Sequence, residues 1–203
     1  MAEESSVSRS PRLAIIAGAT GTGKSTLAHM IAHELGFSRC VSTDTIREVL
    51  RTREDLGGVG ALHRSSFENA GGTAIENWQE TVEILAEGIS SVISRAKKKI
   101  SDLIIEGVHF IPSERVISNW EGRGRLAIGV VLYVEKLDKH VEMISNREKH
   151  NGKKMDHYLK NIDRIREIQD EMVMRAKKSG WILIDITKEE DPINIIKNSL
   201  GEI

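Results

Sequence analysis

Short apolar runs alternate with longer amphipathic stretches along the chain. Leu13 to Ala17 is an apolar run stopped by Gly18, the pattern of a strand buried on both faces. Gly23 to Leu35 is rich in helix formers and ends at Gly36. Arg39 to Ser42 reads as a second short strand, with Ser42 or Thr43 placed to cap a helix from about Thr45 to Arg53. The glycine-rich segment Gly57 to Gly72 reads as a loop with room for one short helix. A long helix follows from Thr73 to Lys98, in which Trp78, Val82, Leu85, Ile89 and Val92 recur every three or four residues and mark one buried stripe. Leu103 to Ile105 and Leu126 to Val134 are a third and fourth strand, and Trp181 to Ile186 a fifth. Helices are predicted over 138–154, over 156–178 with Ile162, Ile165, Ile168, Met172 and Ala176 on one face, and over 192–200. Strands alternating with helices imply an α/β fold: one three-layer domain with a five-stranded parallel sheet covered on both faces.

Composition narrows the class. With 203 residues, 39% apolar, the chain suits one globular domain over 12–203. The polar residues 1–11 read as a disordered tail. A net charge of −1 argues against a broad nucleic-acid footprint, and no apolar run approaches a membrane span. Cys40 is the only cysteine, so no disulfide can form within the chain and a reducing cytoplasm is expected. Cys40 itself lies in an apolar stretch and reads as a core residue.

The chemistry starts where the first strand ends. Gly18-Ala19-Thr20-Gly21-Thr22-Gly23-Lys24-Ser25 matches G-x-x-x-x-G-K-[ST] and lies between an apolar strand and a helix, the setting a phosphate-binding loop requires. Its glycines let backbone amides turn around phosphate oxygens, and the helix N-terminus adds partial positive charge. Lys24 is placed to reach the β- and γ-phosphates of ATP, Ser25 to hold Mg²⁺, and Thr26 to meet the α-phosphate.

Two acids stand beyond strand ends, where ligands collect in such sheets. Asp44 follows the second strand and can take a hydroxyl proton or position Mg²⁺; a helix cap or a pair with Arg47 is the plainer reading. Glu106 ends the third strand in the position of a Walker B acid and can hold the metal or act as the base. Either carboxylate can be the base. Asp185 ends the fifth strand and can equally be a simple cap. Arg47 and Arg51, one helical turn apart, suit a carboxylate or phosphate of the substrate, although Arg51 has Glu54 and Asp55 nearby. His63 and Ser65 are loop candidates for substrate contact, and His109 a weaker one. The basic segment Arg147 to Lys154 has the position of a lid, about 138–160, that closes on the phosphates, with Arg147 neutralising the transferring group. The seven histidines show no metal-ligand spacing.

GATGTGKST (Gly18 to Thr26), STDTIREVLR (Ser42 to Arg51), LHRSSF (Leu62 to Phe67), IIEGVHFIP (Ile104 to Pro112) and the stretches between Asn146 and Asp170 together resemble the archaeal 2-phosphoglycerate kinase family. The resemblance implies a P-loop kinase fold with sheet order 2-3-1-4-5, a helical lid, and ATP-dependent transfer to a hydroxyl of a small phosphorylated acid, with a homodimer allowed. Two departures stand out. An N-terminal nucleotide-sensing domain usual in the family is not among these residues, and an arginine-rich lid segment is replaced by Asn151-Gly-Lys-Lys-Met-Asp-His157. A lid with fewer forked donors selects a different anion. The preferred specific acceptor is therefore mevalonate 3-phosphate, phosphorylated at its 5-hydroxyl in the archaeal isoprenoid route, with 2-phosphoglycerate as the alternative.

Other phosphate-loop classes fit less well. A GTPase needs D-x-x-G and N-K-x-D, and Thr187-Lys-Glu-Glu190 lacks the final Asp. A transport ATPase needs L-S-G-G-Q, which LGGVG (Leu56 to Gly60) does not supply. A non-kinase ATPase or nucleotide-binding regulator would not need Lys24, Ser25, Asp44 and Glu106 together.

Overall fold

The computed structural model describes residues 10–53, 60–120, 122, 125–151 and 155–201. Five strands, β1 (Arg12–Gly18), β2 (Cys40–Ser42), β3 (Leu103–Gly107), β4 (Leu126–Tyr133) and β5 (Ile182–Asp185), form one parallel sheet in the order β2-β3-β1-β4-β5. The α/β class and this order are those anticipated.

β1 is buried along its whole length because it is central and covered twice. Its odd residues Leu13, Ile15 and Ala17 face α4 (Ala74–Lys98) and α8 (Ile162–Ser179), packing with Trp78, Leu85, Ile165 and Met172. Its even residues Ala14 and Ile16 face α1 (Lys24–Glu34) and α9 (Pro192–Ser199), packing with Leu27, Ile31 and Ile196. Each of the leucine, isoleucine and methionine side chains among them contributes roughly 1.5–3 kcal/mol by leaving water. Cys40 is only half-buried, at the edge of the second cluster. Among the described residues, no helix is long and apolar enough to cross a membrane.

Differences from the expected elements have local causes. β1 begins one residue earlier, at Arg12, whose side chain is buried but not unpaired. Its Nε donates to Asp102 at 2.9 Å, Nη2 to the Leu35 carbonyl at 2.9 Å, and the guanidinium lies 4.0 Å over the Phe37 ring. The helix predicted over 156–178 is two: α7 (Met155–Leu159) stops before Asn161, whose Nδ2 donates to the His157 carbonyl at 2.8 Å and competes with the helical ladder. α5 (Glu114–Ser118) is too short to leave a periodic signal. α2 spans Thr43–Leu50, and α3 (Gly60–His63) is the short helix allowed for in the glycine-rich loop. α4 is closed by a reciprocal Thr73–Glu76 capping box. α6 (Leu137–Asn151) forms the first arm of the expected lid; residues 152–154 of that lid lie outside the described residues, as do Glu54, Asp55 and the tail 1–9.

β4 and β5 close against Trp181, which lies across Gly129. A Cβ on Gly129 would sit 2.2–2.6 Å from the indole ring. Gly129→Ala should therefore cost about 1–3 kcal/mol by overpacking. Denaturant unfolding would show this as a lower midpoint at unchanged slope, and an unmoved midpoint would mean that Trp181 swings away freely.

Candidate active site

The loop after β1 turns on Gly21 and Gly23, both in left-handed conformations (φ 86° and 80°). Gly23 caps α1 without a side chain, so no side-chain oxygen occupies the first-turn amides that an anion would use. The loop carbonyls are held by side chains of the loop itself and of α6. Lys24 Nζ and Thr22 Oγ1 both donate to the Ala19 carbonyl, at 2.7 and 3.0 Å. A histidine not anticipated as a site residue, His140 of α6, is fully buried with Nε2 2.8 Å from the Thr20 carbonyl. Ile144, one turn along α6, fills the space a Gly21 side chain would need, at 2.4 Å. α6 thus packs directly on the phosphate loop. Met143, Asn146 and Arg147 of α6 and residues 21 and 23–26 enclose a cleft of about 450 Å³.

Ser25 Oγ donates to Glu106 Oε1 at 3.0 Å. Glu106 is buried at the end of β3, in register with Ile16 on one side and Ser42 on the other. A hydroxyl and a carboxylate beside a phosphate cradle are hard oxygen donors of the kind Mg²⁺ takes together with phosphate oxygens. The donor set therefore fits that ion.

Asp44 sits in the first turn of α2, exposed, with Ser42 accepting from its backbone amide as the cap. Arg47 Nη2 lies 3.3 Å from Asp44 Oδ1. Glu106, Asp44 and Arg147 all act electrostatically on Lys24: burial lowers its ammonium to about 8, the two acids oppose this, and Arg147 adds to it. Lys24 and Arg147 thus line the cleft, Glu106 is tied to it through Ser25, and Asp44 acts on Lys24 through its charge. The Arg147 guanidinium is 6.0 Å from the Tyr158 ring of α7.

Other expected contacts fall outside it. Arg51 is a turn beyond Arg47 and turns onto Glu48, at 2.9 and 3.0 Å. Four residues advance a helix by about 6 Å, which carries Arg51 away from the strand ends. His63 ends α3 exposed to solvent, and Ser65 gives its amide to Glu68 at 2.6 Å. The residue between them, Arg64, is the one turned inward. Asp185 caps its own turn, accepting from Thr187 N and Oγ1 at 3.1 and 2.7 Å, as its plainer reading had it.

His109 is more central than its place in the sequence suggested. It is buried, with Nδ1 2.8 Å from Thr43 Oγ1. Burial pushes it down to about 4; Asp44 opposes this, while Arg47 and Lys24 reinforce it. The folded state thus disfavours the protonated ring, so stability is full above the unfolded value near 6.5 and falls as acid takes the pH towards 4. Between about pH 7 and about pH 4.5 this single group should remove on the order of 2–3 kcal/mol. Chemical denaturation at the two pH values checks it: His109→Gln should lose distinctly less stability on acidification than the parent chain, and equal losses would assign the acid sensitivity elsewhere.

Residues 2–107, a little over half of the chain, match the Zeta toxin family model, a span that runs through the phosphate loop, Asp44 and Glu106. Among curated proteins, the 2-phosphoglycerate kinase of Methanocaldococcus jannaschii is 30% identical over 96% of this chain and 64% of its own length. That of Pyrococcus horikoshii is 28% identical over 94% and 64% respectively. The chain thus spans just under two thirds of the length of these relatives. Among solved structures, shikimate kinase from Bacteroides thetaiotaomicron superposes with a TM-score of 0.52 at 15% identity, over 94% of this chain and 98% of that one. A sugar kinase from Janibacter does so with a TM-score of 0.53 at 16% identity, over 94% and 95%. These two likenesses concern the fold, the three-layer P-loop kinase sandwich. With its intact phosphate loop and strand-end acids, the chain belongs to the Zeta toxin family and is a homologue of the archaeal 2-phosphoglycerate kinases.

Proposed function

We propose that the chain is an ATP-dependent kinase that transfers the γ-phosphate to a hydroxyl of a small phosphorylated hydroxy acid, with 2-phosphoglycerate as the acceptor. The observation that carries this reading is the pairing of Ser25 with the strand-end acid Glu106 next to Lys24 at an uncapped helix N-terminus, with the charge of Asp44 acting on Lys24. The name borne by the archaeal relatives supports the acceptor. It moves the preference away from mevalonate 3-phosphate and the isoprenoid route, which nothing in the comparisons favours. The single cysteine and the charge balance remain those of a cytoplasmic enzyme without nucleic-acid substrates.

In this reading the loop amides and Lys24 bind the ATP phosphates, and Lys24 leaves the Ala19 carbonyl to do so. Ser25 and Glu106 would hold Mg²⁺, which supplies charge neutralisation on the β- and γ-phosphates. Glu106 is occupied by Ser25 and buried, whereas Asp44 is exposed. Asp44 is therefore the group that accepts the acceptor's hydroxyl proton, and Arg47 turns from Asp44 towards the acceptor's charge. Arg147 adds positive charge over the transferring phosphoryl group, and α6 excludes water from it.

Lys24→Ala should lower turnover by roughly 10²–10³ or more, the scale of losing one charge-stabilising donor. ADP release with 2-phosphoglycerate measures it, and near-normal turnover in that variant would sink the assignment. Asp44→Asn should cut kcat by roughly 10²–10⁴ while leaving ATP affinity nearly intact, whereas Glu106→Gln should weaken Mg²⁺·ATP binding as well. The reverse pattern would exchange the two roles. Run side by side, 2-phosphoglycerate and mevalonate 3-phosphate decide the acceptor: ADP release stimulated by the second alone overturns the choice made here.

A further inference from the structure

Three buried nitrogens near Asp44 lack a hydrogen-bond partner among the described residues. They are Arg47 Nε, Arg64 Nη1 and His109 Nε2, each shielded from solvent. They belong to neighbouring groups. Arg47 Nη1 donates to the Arg64 carbonyl at 3.3 Å, and Arg47 acts electrostatically on His109. Each is also fixed at its other end. Arg64 Nη2 donates to the Asn77 carbonyl at 2.9 Å and pairs with Glu80. Arg47 pairs with Asp44, and His109 is held by Thr43. A hydroxyl proton directed from Thr43 to Nδ1 leaves the neutral His109 ring with its N–H at Nε2, as a donor.

A buried donor left unused is unfavourable, and several in neighbouring residues accumulate a deficit that a packed interior does not normally carry. The side chains are held by α2, by the start of α4 and by Thr43, so relaxation cannot quench them cheaply. An incoming anion can. Two guanidinium groups bring positive charge, and three donors match the three terminal oxygens of a phosphomonoester.

We infer that Arg47, Arg64 and His109 form an anion subsite that binds the phosphate group already present on the acceptor, beside the proton-accepting Asp44. The inference rests on reading the cleft as that of a kinase with an anionic acceptor. It gives the protein two phosphate positions: the loop at 18–25 for the donor nucleotide and these three side chains for the acceptor. Arg64 and His109 then select a phosphorylated acid over an unphosphorylated one.

The test separates the subsite from turnover. With the phosphate loop of the full chain saturated by a non-hydrolysable ATP analogue and Mg²⁺, inorganic phosphate and, separately, lactate are titrated by calorimetry. Phosphate should bind the parent chain, and lactate should not. Phosphate affinity should fall at least roughly tenfold in Arg47→Met and in Arg64→Met, the scale of losing a charge-assisted bond. Arg51→Met, altered one turn along the same helix, should stay within about twofold, as expected for a screened surface pair. Arg64→Met also releases Asn77 and Glu80, so affinity for the ATP analogue serves as the fold control. Arg64→Lys, which keeps the charge without the fork, should still bind phosphate measurably weaker. No phosphate binding by the parent chain, equal binding in all variants, or saturation by lactate alone would overturn the subsite. Loss of phosphate binding in the arginine variants, in a chain that phosphorylates no 2-phosphoglycerate, would uphold the subsite and remove the acceptor named above.

Discussion

The parallel register of β3 between β1 and β2 is the constraint on which the site depends. Glu106 lies opposite Ile16 and Ser42, so the buried acid, the strand leading into the phosphate loop and the cap of α2 all reach the same edge of the sheet. A slip of one residue would turn Glu106 to the opposite face and separate it from Ser25. The hydrophobic pattern forbids such a slip, because Leu103, Ile104 and Ile105 are buried on alternating faces against two different helix layers. Packing far below the cleft thus sets the 3.0 Å contact within it.

Buried polar groups are concentrated at that edge. Thr22, Thr43, Glu106, His109 and His140 are all nearly inaccessible. Each is anchored by one specific hydrogen bond and not by shape alone, which holds the catalytic geometry to a single arrangement at some cost in stability. Lys24 is part of the same economy: resting on the Ala19 carbonyl, it satisfies the loop and its own ammonium together.

The strands and the phosphate loop were legible in the sequence because both are local. Apolar runs of five residues or so mark strands buried on two faces, and the loop motif carries its conformation in its glycines. Asp44 and Glu106 were legible for the same reason, since strand ends define the ligand edge. Arg47 and Arg51 could not be separated by periodicity, which reports a shared face but not depth along the helix axis. The loop composition points to His63 and Ser65 and passes over Arg64, because which of three adjacent loop residues points inward is decided by Asn77 and Glu80 on a distant helix. Arg12 falls outside the apolar run that marks β1, and the partner that lets it be buried, Asp102, is 90 positions away. His140 had a fainter signal, one turn before Ile144, which gains meaning only once α6 is seen against the loop.

Arg12 also bears on the opposite end of the molecule. Its guanidinium takes the Leu35 carbonyl at the C-terminal end of α1, the helix whose N-terminus opens the phosphate loop. Arg12 is paired with Asp102, so what it supplies there is a partner for a carbonyl that the helix leaves unsatisfied, not a net charge. α1 is thereby tied down at its far end. The phosphate loop sits at the other end of that eleven-residue rod, roughly 16 Å away. An arginine with no access to the cleft is thus part of the anchorage on which the cradle stands.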